Sequence, residues 1–173
     1  MQAVKSGFGL SLLTASRSFD GVVSTQADNP DIAVRDESLS IVRTLRAAGF
    51  TAYWAGGCVR DQLMGRVPKD YDVATNATPE QVQSLFPHTL DVGRKFGVIH
   101  VVFGSRTHEV ATFRRDSPRG DGRRPDSVEF SDPRQDALRR DFTVNGLFFD
   151  PEENRLIDYV GGKADLQRRI IRA

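Results

Sequence analysis

Residues 55–75 read AGGCVRDQLMGRVPKDYDVAT, and the expected fold follows from this stretch. The segment before it, FTAYWA at residues 50–55, is β-prone and ends at the glycine pair Gly56-Gly57. CVRDQLMG then predicts a short helix, and DYDVAT at residues 70–75 predicts a second strand. A strand, two glycines, a helix and another strand in so few residues indicate a small sheet flanked by helices.

Asp70 and Asp72 are the strongest chemical feature of this stretch. Side chains alternate along a strand, so both carboxylates would point to one face and Tyr71 to the other. Two carboxylates so placed repel each other unless a cation lies between them, and Mg²⁺ prefers carboxylate and phosphate oxygens. A pair of such ions can activate a hydroxyl and stabilise a leaving pyrophosphate. Taken alone, an Asp-x-Asp spacing is more often an ordinary turn or strand edge.

The glycine pair and Arg60 suggest a phosphate site beside these carboxylates. Glycines between a strand and a helix let backbone amides approach a phosphate closely, and the helix N-terminus favours negative charge. Arg60, in the first turn of the predicted helix, could contact the same triphosphate. A lone Gly-Gly is better interpreted as a plain tight turn. The combination with Asp-x-Asp on the next strand is more specific.

Glu109, in HEVATF, is the best candidate for a third metal-binding carboxylate, because it lies on a predicted strand. An exposed glutamate on a strand is the competing interpretation. His88, His100 and His108 have no metal-ligand spacing relative to one another, and we interpret them as structural or surface residues.

Two basic clusters remain. Arg139, Arg140 and Asp141, with Asn145 close behind, could bind phosphate and a ribose hydroxyl, or could be charges matched to a helix C-terminus. Residues 113–124 read FRRDSPRGDGRR, with five arginines against two aspartates. This excess of positive charge could meet polyphosphate or RNA, and a solvated loop explains it equally well.

The whole chain of 173 residues fits one domain of ordinary size. The balance of 24 basic and 23 acidic residues identifies no partner. Cys58 is the only cysteine, which excludes an internal disulfide and suggests the reducing cytoplasm. No apolar run approaches the length of a membrane span, so we expect no membrane partner.

The remaining periodicity completes an α/β or α+β pattern. Residues 1–36 show no sustained periodicity and predict a flexible extension, with the ordered domain at residues 37–173. The other expected elements are a helix after Glu37 that ends at Gly49, a helix that starts at Thr78-Pro79, strands over Val98–Phe103 and His108–Phe113, a helix in PRQDALRRD, two strands around PEEN and a short helix in GGKADLQRR.

Together these motifs resemble the bacterial class II CCA-adding enzymes (tRNA nucleotidyltransferases) and the related bacterial poly(A) polymerases. Residues 55–75 resemble the first signature of that family nearly throughout. DVGRKFGVIHV, HEVATFRRD, GRRPDSVEF, RRDFTVNGL and DYVGGKADLQRRIIR match further blocks in the same order, so the resemblance covers residues 38–172. It implies a polymerase-β-like nucleotidyltransferase head, with a small mixed sheet flanked by helices.

The resemblance also implies roles for single residues. Asp70 and Asp72 would be the catalytic, metal-binding carboxylates, Glu109 would be the third, and Mg²⁺, as two ions, would be the cofactor. The residues that would bind the nucleotide are Gly56, Gly57, Arg60, Arg140, Asp141 and Asn145. Residues 113–125 fall where the family has a flexible loop.

The implied function is template-independent transfer of nucleotides from CTP or ATP to the 3′ end of tRNA, as CCA or A addition. Poly(A) polymerase activity on other RNAs is the alternative, because the head signatures are shared. Family members continue into helical neck, body and tail domains, and the neck reads the base. A nucleotide- or RNA-binding head without full activity is therefore a third possibility, and association through an exposed neck-facing surface is expected.

Overall fold

The computed structural model describes residues 30–115 and 129–173. Within these residues it has five helices: α1 Pro30–Ala47, α2 Gly57–Leu63, α3 Pro79–Leu85, α4 Pro133–Leu138 and α5 Gly162–Arg168. It also has nine strands: β1 Ala52–Ala55, β2 Asp72–Thr75, β3 Thr89–Gly93, β4 Val98–Phe103, β5 Arg106–Thr112, β6 Arg114–Arg115, β7 Glu129–Phe130, β8 Leu147–Asp150 and β9 Arg155–Asp158. A 3-10 turn, Thr143–Asn145, precedes β8.

Seven strands form one mixed sheet in the order β3-β4-β5-β2-β1-β8-β9. Only β2 and β5 pair in parallel among the described strands, and the other pairs are antiparallel. Strands β6 and β7 form a separate two-stranded ribbon. The predicted fold class, a small mixed sheet flanked by helices, is confirmed.

The core lies on both faces of this sheet, because side chains alternate along each strand. Val73 belongs to the larger cluster, which includes Ile41 of α1 and Val82 of α3. Its neighbour Ala74 belongs to the smaller cluster on the opposite face, which includes Phe113, Phe148 and Ala137 of α4. Asp72 therefore shares the face of Ala74 and lies on the side covered by α4.

Helix α3 starts where the sequence predicts, at Thr78-Pro79. The side chain of Thr78 accepts from the backbone N–H of Gln81 at 3.4 Å, and the side chain of Gln81 accepts from the backbone N–H of Thr78 at 2.8 Å. This reciprocal pair is a capping box, which satisfies two donors that have no partner within the helix.

Helix α1 begins at Pro30, so the prediction of a flexible extension through residue 36 is wrong for residues 30–36. Proline suits the first turn of a helix, where its missing N–H has no partner, and Asp31 favours the helix N-terminus. Val34 packs against the larger cluster and stabilises this added turn. Residues 1–29, the rest of the predicted extension, lie outside the described residues.

Strand β2 begins at Asp72, two residues later than predicted. Asp72 pairs with Ala55, the last residue of β1. The residues before Asp72 find no partner there, because the chain leaves β1 at Gly56, where φ is 70°. The arginine-rich stretch 113–124 lies for the most part outside the described residues. None of the helices in the described part of the chain is long and apolar enough to cross a membrane.

Candidate active site

A cavity of about 340 Å³ opens beside the start of β2. It is lined by Val34, Lys69, Asp70, Tyr71, Asp72, His100, Arg106, Thr107, His108 and Glu109, and we call it the acid pocket. It brings together the three carboxylates that the sequence predicts for metal binding, from β2, from the segment before it and from β5.

The electrostatics of the acid pocket centre on Asp72. Because Val73 is in register with Val110, Asp72 lies beside Glu109 on the neighbouring parallel strand. The pKa of Asp72 is raised to about 6. Burial is the largest cause, and the negative charges of Glu109 and Asp70 add to it. A cation bound here would stabilise the ionised form of Asp72 and reduce its repulsion from Glu109 and Asp70.

The donor set of the acid pocket fits a hard divalent cation, because three carboxylates line it and their charges act on one another. In residues 30–115 and 129–173, however, no three His, Cys, Asp or Glu side chains are grouped closely enough to hold a metal ion. The side chains of Asp70, Asp72 and Glu109 would therefore have to move towards a shared ion.

A second cavity, of about 400 Å³, lies on the other side of Asp72. We call it the arginine pocket, and its lining consists of Gly56, Gly57, Arg60, Asp72, Arg139, Arg140, Asp141 and Asn145. Every residue that the sequence predicts for nucleotide binding lies in this pocket. Asp72 lines both cavities.

Hydrogen bonds hold the arginine pocket in shape. Arg60 Nη1 donates to Asn145 Oδ1 at 2.7 Å, and Asn145 Nδ2 donates to Asp141 Oδ1 at 3.2 Å. Arg60 also pairs with Asp61 at 2.9 Å. Asn145, the last residue of the 3-10 turn, thus connects Arg60 of α2 to Asp141.

Gly56 permits the closest approach in this pocket. Its φ of 70° is costly for residues with a side chain, and a Cβ at this position would lie 2.9 Å from Arg140 Nη1. The glycine therefore makes room for the Arg140 guanidinium as well as for the turn from β1 into α2.

Asp136 is a site residue that the sequence reasoning missed. It is 1% exposed, and its two oxygens accept from Arg139 Nη2 at 2.6 Å and from Arg140 Nη2 at 3.0 Å. Arg140 also lies over the ring of Phe148 at 5.3 Å. The available signal was the spacing, because Asp136 precedes the two arginines by three and four residues on a helix.

The model of the Poly A polymerase head domain family matches residues 52–172. The chain belongs to this family. The head domain is 44% identical over 136 residues to a CCA-adding enzyme of Bacillus licheniformis, which covers 78% of this chain and 34% of that protein. It is 44% identical over 156 residues to poly(A) polymerase I of Haemophilus influenzae, which covers 82% of this chain and 34% of that protein.

A solved structure has the same fold as this head domain. The CCA-adding enzyme of Bacillus stearothermophilus in complex with CTP superposes with a TM-score of 0.72 at 41% identity, over 84% of this chain and 34% of that one. The head domain spans about a third of the length of the curated relatives that it matches.

Proposed function

We propose that this head domain transfers nucleotides from CTP or ATP to the 3′ end of an RNA, with tRNA as the main acceptor, and releases pyrophosphate. The observation that carries the proposal is that Asp72 lines both the acid pocket and the arginine pocket. A transferase that joins two substrates needs their reacting atoms to meet at one catalytic group. Asp72 would be that group.

The arginine pocket suits the triphosphate. Arg60, Arg139 and Arg140 present three guanidinium groups, which match phosphate oxygens in charge and geometry. Asp136 holds Arg139 and Arg140 in place, so that little side-chain entropy is lost when phosphate binds. Asp141 and Asn145 lie at the same pocket and would contact the ribose of the incoming nucleotide.

The acid pocket suits the reacting centre. Asp70, Asp72 and Glu109 would hold two Mg²⁺ ions, which when bound would lower the pKa of the attacking hydroxyl and offset charge on the leaving pyrophosphate. The 3′ oxygen of the RNA forms a bond to the α-phosphorus of the nucleotide. The bond between that phosphorus and the oxygen bridging to the β-phosphate breaks, and the hydroxyl proton is transferred to water. The carboxylates orient the groups around this exchange.

Two further functions have support. Poly(A) addition to other RNAs is favoured by the identity to poly(A) polymerase I of Haemophilus influenzae, which equals the identity to the CCA-adding enzyme. A nucleotide- or RNA-binding role without full activity is supported by the arginine pocket, because its guanidinium groups could bind phosphate without any transfer step. The buried, unpaired Cys58 agrees with a reducing compartment, and we propose the cytoplasm.

The test is extension of defined RNAs at single-nucleotide resolution. The purified chain is incubated with Mg²⁺, one nucleotide at a time, and either a tRNA that lacks its terminal CCA or an unstructured RNA. Addition of C and A to the tRNA supports CCA addition, A alone on tRNA supports A addition, and long A tracts on both RNAs support poly(A) synthesis. Binding of nucleotide without any extension contradicts the proposed transfer and leaves the binding role.

A further inference from the structure

His100 continues the row of polar side chains that begins with Asp72. In the antiparallel pair of β4 and β5, His100 is the register partner of Glu109. The two residues therefore lie on one face of the sheet, and both line the acid pocket. The row of Asp72, Glu109 and His100 crosses the three adjacent strands β2, β5 and β4.

The imidazole of His100 has no partner in the described part of the chain. It makes no hydrogen bond or ion pair there, whereas the neighbouring His108 is buried and contacts Glu37 at 2.9 Å. Either tautomer of a neutral imidazole carries one N–H donor. A half-buried donor on the wall of a cavity, without a protein acceptor, is available to a ligand.

Strand β2 separates the two pockets, because Gly56, Gly57 and Arg60 follow β1, whereas Glu109 and His100 lie on β5 and β4. The attacking hydroxyl and the leaving pyrophosphate must lie on opposite sides of the α-phosphorus. If the arginine pocket holds the triphosphate, the hydroxyl approaches Asp72 from the other side, which is the acid pocket.

We propose that His100, on the wall of the acid pocket, and Lys69, at its rim, bind the sugar and phosphate of the 3′-terminal nucleotide of the RNA. This inference rests on the proposed transferase function. His100 donates its N–H to the terminal nucleotide. Lys69 is exposed at the rim and has no ion pair among the described residues, so its ammonium group is available to a phosphate.

Charge explains why these two residues matter to an RNA. Asp70, Asp72 and Glu109 would repel the RNA backbone, and the other cation at this pocket, Arg106, already pairs with Glu37. Lys69 and His100 therefore supply the attraction that brings the 3′ end to the carboxylates. The same two side chains lie outside the arginine pocket, so their loss should spare nucleotide binding.

The kinetic test separates RNA from nucleotide. We expect His100→Leu to raise the KM for RNA about threefold to tenfold, because one hydrogen bond to the RNA is lost. The KM for the nucleotide should stay unchanged. His100→Asn, which keeps an N–H donor, should restore most of the affinity. Lys69→Met should raise the KM for RNA and reduce its salt dependence by about one charge, and Lys163→Met on α5 is the matched control. Circular dichroism checks that each variant is folded.

A second measurement does not depend on turnover. An RNA with a 4-thiouridine at its 3′ end is photo-crosslinked to the wild-type chain, and the attached peptide is mapped by mass spectrometry. We expect the crosslink within residues 69–72 or 98–109, and we expect Lys69→Met with His100→Leu to weaken it.

A crosslink confined to other parts of the chain, or wild-type KM for RNA in both variants, overturns the inference. If the wild type crosslinks at the acid pocket, the double variant crosslinks more weakly and neither transfers a nucleotide, the proposed transfer fails and the inferred RNA binding by His100 and Lys69 stands.

Discussion

At the scale of single residues, the proposed catalytic position of Asp72 has a cost in stability. Its pKa is raised from an ordinary value of 3.8 to about 6, mainly because it is buried, and in addition because Glu109 and Asp70 are near. Between about pH 4 and pH 6 the unfolded chain releases this proton while the folded chain keeps it. The contribution of Asp72 to the free energy of unfolding therefore falls as the pH rises through this window.

Asp72→Asn should accordingly melt at a higher temperature than the wild type at pH 7.5 in a buffer with a chelator, because it removes a disfavoured charge. The difference should disappear at about pH 4, where Asp72 is protonated in the folded chain. Differential scanning calorimetry at both pH values measures this. Added Mg²⁺ should raise the melting temperature of the wild type and leave that of Asp72→Asn almost unchanged. A variant that melts below the wild type at pH 7.5 would contradict the assignment.

Asp136→Ala should lower both stability and nucleotide affinity. It leaves the guanidinium groups of Arg139 and Arg140 without their shared acceptor, and loss of one partner from a buried ion pair costs about 3 kcal/mol. Urea unfolding and the KM for the nucleotide measure the two effects.

Asp132→Ala is the matched control on the same helix. Asp132 caps α4 by accepting from the backbone N–H of Gln135 at 2.9 Å, so its loss should cost about 1 kcal/mol and leave the arginines in place. Equal effects of the two variants on the KM would show that Asp136 does not organise the arginine pocket.

The sequence predicts site residues best where the chemistry is local. Asp70 and Asp72 lie two residues apart, and Gly56, Gly57 and Arg60 lie within one turn, so spacing alone relates them. Asp136 escaped prediction because a carboxylate before two arginines on a helix is common on exposed surfaces. Its burial, which makes it structural, depends on packing against the sheet.

At the scale of elements, Glu37 fastens α1 to β5. It accepts from Arg106 Nε at 2.9 Å and contacts His108 Nε2 at 2.9 Å. The hydrogen bond from Arg106 is the main reason that the pKa of Glu37 is below its ordinary value. A depressed carboxyl pKa stabilises the folded chain above pH 4.5 and loses this effect as the pH falls through the folded value.

Glu37→Gln should therefore be less stable than the wild type at pH 7, by about 1 kcal/mol because Arg106 is partly exposed to solvent. The gap should narrow below pH 4, since the wild type is then protonated as well. Urea titrations at pH 7 and pH 3.5 give the comparison. A constant difference at both pH values would mean that the ion pair is not its cause.

Gly162 sets the contact between α5 and the 3-10 turn. A Cβ at this position would lie 2.1 Å from the carbonyl oxygen of Thr143, so Gly162→Ala must displace the turn that carries Asn145. We expect a loss of about 2 kcal/mol in stability and a higher KM for the nucleotide. In Gly104→Ala the glycine has a φ of 58°, and no atom lies within 4 Å of the added Cβ. This control should lose about 1 kcal/mol and keep its KM.

The start of α1 shows why element boundaries are hard to predict. Residues 30–36 carry no strong periodicity, and their helix is supported by packing of Val34 on the core and by the partners of Glu37, which are 69 and 71 residues away in sequence. Helix α3 was predictable because its capping box lies within four consecutive residues.

At the scale of the whole molecule, the order of strands produces the two pockets. Strand β2 lies between β1 and β5, so Asp72 is flanked by Gly56 and Arg60 on one side and by Glu109 on the other. The sequence indicates the elements but not the parallel pairing of β2 with β5, which is decided by packing. Leu138, Phe142 and Ile171 are exposed apolar side chains, and association through a neck-facing surface stays a prediction.

If Asp72 acts in nucleotide transfer but not in nucleotide binding, its replacement should stop the reaction and leave nucleotide affinity almost unchanged. The most direct measurement is single-turnover incorporation by the wild type and by Asp72→Asn at saturating nucleotide with Mg²⁺, together with the nucleotide Kd of each. We predict a Kd within about threefold of the wild type and a rate lower by at least about a hundredfold. Incorporation by Asp72→Asn at the wild-type rate would contradict the account.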